Sequence, residues 1–166
     1  MKKIVYLTFI VMFAVILGAC AKATLQPGDG MINPGDKIGD FLITTGDSEG
    51  RFLWEIDCVE QSAEKETCKS TVGNKVNVSW GIYDDTGSGK LDTIWSEHTY
   101  EMVIEGRPVN LQAFGSIEST PPYIGQMRHW NVVIVTDKAG EITIQHSVVV
   151  KGESYKSTTT LIFSAP

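Results

Sequence analysis

Three aspartates around a glycine-containing segment are the first residues of this chain whose spacing suggests metal chemistry. Asp84, Asp85 and Asp92 flank Thr86-Gly87-Ser88-Gly89-Lys90, and Ca²⁺ takes six to eight oxygen ligands from such loops. The spacing departs from that of an EF-hand, because Thr and Ser stand between the acids and no glutamate closes the loop. The lysine also brings a positive charge among the carboxylates. A solvated turn between strands is therefore the favoured interpretation, with calcium as the alternative and no cofactor expected.

Catalytic side chains show no recognisable arrangement. His98, His129 and His146 are the three histidines, and neither H-x-H nor H-x-x-x-H occurs. Nucleophilic catalysis needs a Ser or Cys beside a base and an oxyanion hole, and the chain has no Gly-x-Ser-x-Gly. The segment 86–90 also fails the phosphate-loop pattern, because Asp replaces the first glycine and Leu91 follows the lysine. We expect no enzyme; a small hydrolase using paired carboxylates remains an alternative.

Aromatic residues near predicted loops offer a binding function instead. Trp95 precedes Ser96-Glu97-His98 at a predicted strand end, and Tyr123 lies between two prolines and a glycine. Prolines favour an extended segment that can display an aromatic ring. Exposed Trp and Tyr side chains at one end of a β-domain can contact sugar rings or anchor a protein partner. Trp95 and Tyr123 are thus the candidate ligand-binding residues.

The first twenty residues have the order of a secretory signal. Met1-Lys2-Lys3 is followed by an uncharged apolar run over residues 4–17 and by two small residues. That run is shorter than the roughly 20 residues of a membrane-spanning helix. Leu17-Gly18-Ala19-Cys20 resembles the lipobox of bacterial lipoproteins. The resemblance implies that residues 1–19 are removed and that Cys20 carries a diacylglycerol and becomes the first residue.

Lipidation at Cys20 would determine where the protein is located. Two or more acyl chains give stable membrane attachment, at about 0.8 kcal/mol per buried CH₂. The prediction is therefore a protein of the cell envelope, anchored on the extracytoplasmic side at the cell surface or in the outer membrane. Loss of the two signal lysines changes the net charge from −6 to −8. An acidic surface disfavours nucleic acid, so no nucleic-acid partner is expected.

Cys58 and Cys68 are the two cysteines that remain after Cys20 is assigned to lipid. An oxidising compartment favours a disulfide between them. A metal pair is the alternative, although the nearest histidine in sequence is His98 and no third or fourth ligand is evident. Residues 20–37 are rich in Gly and Pro and predict the lipidated cysteine followed by a flexible tether.

The chain from residue 38 to residue 166 alternates between apolar and polar positions. Residues 52–58, 76–82, 100–104 and 142–150 show this period of two, and clusters of Gly, Asp and Pro separate the runs. Such a pattern predicts one all-β domain, an antiparallel β-sandwich of about seven to nine strands. It resembles immunoglobulin-like domains in architecture. No stretch after Cys20 predicts an amphipathic helix.

The function that fits these observations best is a lipid-anchored, non-catalytic module that binds a protein or a glycan. A structural or accessory lipoprotein that docks on an envelope complex is the alternative. A contiguous exposed apolar patch would favour docking, whereas convergent aromatic residues would favour ligand binding.

Overall fold

The computed structural model describes residues 30–46, 51–84, 89–120, 125–150 and 152–166. The predicted signal peptide, Cys20, Asp85 and Tyr123 lie outside the described residues. In chain order the strands are β1 (Lys37–Ile38), β2 (Phe41–Thr44), β3 (Arg51–Phe52), β4 (Asp57–Ser62), β5 (Lys65–Thr71), β6 (Val76–Asn77), β7 (Gly81–Asp84), β8 (His98–Ile104), β9 (Arg107–Pro108), β10 (Ser116–Ser119), β11 (Gln126–Trp130), β12 (Val133–Val135), β13 (Gly140–Val150) and β14 (Glu153–Ser164).

Two β-layers pack face to face, which confirms the predicted all-β sandwich. One layer is a six-stranded sheet in the order β4-β5-β14-β13-β8-β9, and the other is a five-stranded sheet in the order β1-β2-β12-β6-β3. A three-stranded sheet, β10-β11-β7, continues the second layer. The interruptions fall at residues 78–80 and 131–132, where the backbone N–H of Val78 still donates to the carbonyl of Val132 at 3.0 Å.

Apolar side chains from both layers form the core between the sheets. Phe41 of β2 and Phe163 of β14 contact each other across the layers, with ring centroids 5.9 Å apart. Ile43 and Ile134 from the five-stranded sheet are fully buried, as is Ile144 from the six-stranded sheet. Alternation places these residues on the inward face of each strand, which is why the period of two in the sequence predicts the core.

The six-stranded sheet is mixed, whereas the sequence predicts a purely antiparallel sandwich. Strands β13 and β14 form a long antiparallel hairpin, in which Ile142 lies opposite Leu161. Strand β14 pairs in parallel with β5, so that Leu161 also lies opposite Cys68. A parallel neighbour requires a crossover connection, and here the chain passes through the other layer between β5 and β14. The described residues form fourteen strands, more than the seven to nine predicted, because several predicted strands are interrupted.

A disulfide joins Cys58 and Cys68, as predicted. The two residues lie directly opposite each other in the β4–β5 hairpin, and Cys68 is fully buried. Both sulfurs are therefore committed to each other, and the metal pair that the sequence left open does not form. Closing a loop of this length stabilises the fold by about 3 kcal/mol in the chain-entropy account.

The folded domain begins earlier than residue 38, which corrects the boundary of the predicted tether. Ile32 is fully buried and forms an isolated parallel bridge with Val109. Its N–H donates to the Pro108 carbonyl at 2.8 Å, and its own carbonyl accepts from the N–H of Asn110 at 2.9 Å. The burial of Ile32 sets this boundary. The Gly- and Pro-rich composition around Ile32 gives no sequence signal for that burial.

Short helical segments interrupt the β-structure. A 3-10 turn at Leu53–Glu55 breaks the strand that alternation predicts over residues 52–58. The Glu55 side chain favours the turn, because its Oε2 accepts from the N–H of Phe52 at 2.8 Å. Helix α1 (Leu91–Ser96) precedes β8, and helix α2 (Leu111–Phe114) precedes β10. Neither is long enough to show helical periodicity in the sequence. Within the described residues, no helix is long and apolar enough to cross a bilayer.

Candidate ligand-binding groove

Helix α1 and strands β8 and β11 bring three aromatic side chains together at one side of the sandwich. Trp95 comes from α1, Tyr100 from β8 and Trp130 from the end of β11. The ring centroids of Trp95 and Trp130 are 5.1 Å apart, and those of Trp95 and Tyr100 are 6.4 Å apart in a stacked arrangement. All three side chains line a hollow of about 530 Å³, which we call the aromatic groove. Its volume lies within the range of small-molecule sites.

An arginine fixes the orientation of Trp95. The guanidinium carbon of Arg128 lies 5.6 Å from the centroid of the Trp95 ring, within the range of a cation–π contact. The same guanidinium donates to Asp92 at 2.6 Å and to Glu118. These carboxylates hold the Arg128 side chain, which is only 17% exposed. The ring of Trp95 is therefore held in place before any ligand arrives.

Neutral polar side chains form much of the rim of the aromatic groove. Ser96, Thr99, Gln112 and Ser116 line it and are all exposed. His98 also lines it, and its Nδ1 contacts the carbonyl oxygen of Ile94. Because a carbonyl only accepts, Nδ1 carries a hydrogen in this contact. The rim thus combines donors and acceptors and holds no Asp, Glu, Lys or Arg among the described residues.

A second hollow of about 480 Å³ adjoins the aromatic groove and shares Tyr100, Gln112 and Trp130 with it. Its walls are mainly apolar and include Met31 and Leu111. Burial raises the pKa of the Tyr100 phenol well above its ordinary value, so the hydroxyl stays protonated and can donate a hydrogen bond. The two hollows adjoin each other at the three shared residues.

The indole N–H of Trp130 has no hydrogen-bond partner among the described residues. The residue is 9% exposed, and its Nε1 has less than 1 Å² of accessible surface. A buried donor without a partner costs about 1–3 kcal/mol, and such groups in a native structure call for an explanation. Trp130 lines both hollows, but a ligand acceptor reaches Nε1 only if the groove wall shifts.

A buried polar cluster fixes the backbone that carries Trp130. The carbonyl of Trp130 accepts from His129 Nδ1 at 3.0 Å and from the Ser79 hydroxyl. Asn77 Oδ1 in turn accepts from the Ser79 N–H at 3.0 Å and lies 2.6 Å from the Ser79 hydroxyl. We call Asn77, Ser79 and His129 the support cluster. Its contacts lie directly behind the groove wall.

The support cluster resembles a nucleophile–base pair in composition but not in chemistry. Nδ1 of His129 donates to a carbonyl, so it has no free lone pair with which to take a proton from Ser79. Ser79 is 2% exposed and His129 is 3% exposed, which keeps substrate away from both. Burial lowers the pKa of His129, which is consistent with a neutral, structural imidazole.

The structure places the acidic residues of the calcium hypothesis in different environments. Asp84 is 3% exposed, and its Oδ2 accepts from the N–H of Lys90 at 3.3 Å. Asp92 has an 87% exposed side chain that pairs with Arg128. Asp85 lies outside the described residues. A cation at Asp92 would have to compete with the guanidinium of Arg128. Calcium binding here stays the untested alternative to a solvated turn.

The two residues predicted to bind a ligand, Trp95 and Tyr123, have different outcomes. Trp95 lies in the groove, although in a helix and not at a strand end, whereas Tyr123 lies outside the described residues. Sequence reasoning missed Tyr100 and Trp130. Tyr100 lies on the apolar phase of the alternating run 100–104, and Trp130 opens the apolar run 130–135. Both residues are therefore predicted to be core, and Trp130 is indeed buried. No sequence signal distinguishes a buried Trp that also walls a groove from an ordinary core Trp.

Comparison with known proteins assigns neither a family nor a function to the chain. No family model matches the chain, and no curated protein matches it. Among solved structures, the cysteine protease inhibitor EhICP2 from Entamoeba histolytica gives a TM-score of 0.37 at 10% identity, over 69% of this chain and 93% of that one. PbICP-C, solved in complex with falcipain-2, gives a TM-score of 0.31 at 16% identity, over 62% of this chain and 88% of that one. Both TM-scores are low, so the sandwich is assigned from the strand pairings above.

Proposed function

We propose that this chain is a lipid-anchored, extracytoplasmic binding domain without chemistry of its own, whose ligand site is the aromatic groove. The observation that carries the proposal is the convergence of Trp95, Tyr100 and Trp130 around one preformed hollow. Ligand sites are typically concave, lined by aromatic and apolar groups, and provided with a few polar groups that fix orientation. The aromatic groove has each of these properties.

Rigidity of the groove supports a binding function. Arg128 of β11 contacts the ring of Trp95. His129 and Ser79 of the support cluster donate to the backbone carbonyl of Trp130 behind the groove wall. A site that is ordered before binding does not lose that conformational entropy when the ligand arrives. Three rigid aromatic rings also supply contact area at a low entropic cost.

The proposed anchor places this site near a membrane. In the proposal Cys20 carries the acyl chains, and residues 21–30 connect it to Met31, which lines the second hollow. Even fully extended, a chain of ten residues reaches at most about 36 Å. The groove would therefore lie within about that distance of the lipid headgroups.

Photo-crosslinking in intact cells tests the ligand site. Benzoylphenylalanine replaces Gln112, which is exposed in both hollows, and in a matched control it replaces Glu141, which is exposed on β13. We expect a specific adduct at position 112 that Trp95→Ala reduces at least tenfold. Equal adducts at the two positions, or an adduct at 112 that is indifferent to Trp95→Ala, would contradict the assignment of the groove.

A further inference from the structure

We propose that the ligand of the aromatic groove is a neutral oligosaccharide, a pyranose chain of the cell envelope that passes close to the membrane surface. This inference rests on the proposed function and specifies its ligand class. It comes from the charge of the lining, the hydrogen-bonding capacity of the shared wall, the adjoining positions of the two hollows and the position of the tether.

The charge of the lining disfavours anionic ligands. Among the described residues that line the aromatic groove there is no Asp, Glu, Lys or Arg, and the one charged residue among those described in the lining of the second hollow is Glu101. Arg128 lies beside Trp95, but its guanidinium is already paired with Asp92 and Glu118. Anionic glycans are typically bound by Arg or Lys, and the acidic net charge of the chain would repel them. The lining therefore favours an uncharged ligand.

Hydrogen-bonding groups at the shared wall match hydroxyl-bearing ligands. Tyr100 offers a protonated phenol, and Gln112 offers an amide with both a donor and an acceptor. A sugar hydroxyl both donates and accepts, and a ring oxygen accepts, so a pyranose can pair with both groups. The apolar face of the same ring can lie against the aromatic walls. A neutral peptide segment would pair with the same two groups but presents fewer hydroxyl groups to the rim.

Shape and position favour a chain over a free monosaccharide. The hollows of about 530 Å³ and about 480 Å³ meet at Tyr100, Gln112 and Trp130. A ligand with several linked rings can pass from one hollow into the other, whereas a single ring leaves one of them unused. Because Met31 lines the second hollow, the end of the proposed tether adjoins the site. An anchored domain would therefore meet polymers lying near the membrane.

Titration calorimetry on the full lipoprotein in detergent micelles tests the ligand class. The probes are hexasaccharides of β-1,4-linked glucose, β-1,4-linked N-acetylglucosamine and α-1,4-linked glucose, with a galacturonate hexamer as the anionic counterpart. We expect at least one neutral hexamer to bind. Because salt screens only interactions between charges, the affinity for an uncharged hexamer should change by less than about twofold between about 50 and about 500 mM NaCl. The galacturonate hexamer should bind more weakly than the best neutral one.

Conservative variants test whether the side chains of the groove contact the ligand. Tyr100→Phe keeps the ring and removes one donor, and Trp130→Phe makes the aromatic wall smaller, so each should weaken binding about three- to tenfold. The matched control Tyr83→Phe alters a tyrosine that is 60% exposed on β7 and should leave the affinity unchanged. Tyr100→Phe keeps the test decisive if Trp130→Phe fails to fold.

The outcomes separate this inference from the proposed function. If no neutral hexamer binds, or if the anionic hexamer binds best, the glycan assignment is wrong. If a polypeptide is the species crosslinked at position 112, the groove remains the ligand site while its ligand is a protein. If neither a glycan nor an adduct is found, both proposals fail together.

Discussion

Acidification from pH 7 to pH 4 is expected to cost the fold about 3 kcal/mol through His146 alone. Burial lowers the pKa of this histidine to about 4, whereas the unfolded chain titrates near 6.5. Between these two values the unfolded state binds more protons than the folded state. Stability is therefore fully present above pH 6.5 and falls as the pH drops toward 4.

The surroundings of His146 explain the direction of this shift. The residue is 2% exposed, and its ring stacks on Trp80 with centroids 5.1 Å apart. Nε2 donates to the carbonyl of Val78 in the opposite layer at 2.7 Å, so a second proton would have to go to Nδ1. That atom is buried and has no partner among the described residues, so an imidazolium would leave a donor unsatisfied between the sheets.

Urea unfolding at pH 7, 5.5 and 4 measures the effect. The variant His146→Gln keeps a hydrogen-bond donor without a titrating group, and its stability should fall by about 3 kcal/mol less than that of the wild type over the same range. His129→Gln is the companion variant, since burial lowers the pKa of His129 as well. An unchanged pH slope in His146→Gln would show that folding does not lower the pKa of this histidine.

Loss of the membrane anchor is the second large effect that we expect. Cys20→Ser removes the thiol to which the proposed diacylglycerol is attached, and with it the two acyl chains that give stable membrane binding at about 0.8 kcal/mol per buried CH₂. Fatty-acid labelling should disappear completely, and the protein should no longer sediment with washed membranes.

The other two cysteines provide the matched control for this experiment. Cys58→Ser with Cys68→Ser removes the disulfide but leaves Cys20 in place, so labelling should persist even though the domain loses about 3 kcal/mol of stability. Retention of label in Cys20→Ser, or continued membrane attachment of that variant through a high-salt wash, would contradict the anchor.

Local alternation was sufficient to predict the sandwich, because strand burial depends on neighbours two residues apart. The hairpin of β13 and β14 follows from it directly. Long-range pairing was not predictable in the same way. Nothing near Leu161 indicates that it lies opposite Cys68 in a parallel pair, because that register depends on a crossover of many residues. The burial of Ile32 was hidden for a related reason, since its partner Val109 is distant in sequence.

The groove was only partly predictable. Trp95 could be selected as an aromatic residue outside the alternating strands, although its helix is too short to leave a pattern. Tyr100 and Trp130 carry no such sign, because a residue on the apolar phase of a strand is ordinarily core. Their shared position depends on how α1 packs beside β8 and β11, which is a tertiary property. Tyr123 as a ligand-binding residue stays a prediction.

The most direct test of the aromatic groove as a ligand site is nuclear magnetic resonance on the lipoprotein labelled with ¹⁵N-tryptophan. The titrant is an envelope extract from the same cells, from which the unlabelled lipoprotein has been removed. Spectra are recorded as the extract is added. Single Trp→Phe variants assign the indole signals. The account predicts that the Trp95 and Trp130 signals shift, because the ligand lies against both rings. The Trp80 signal, which belongs to a different hollow, should stay where it is. A Trp80 signal that moves as much as that of Trp130, or a spectrum in which no indole signal moves, would contradict it.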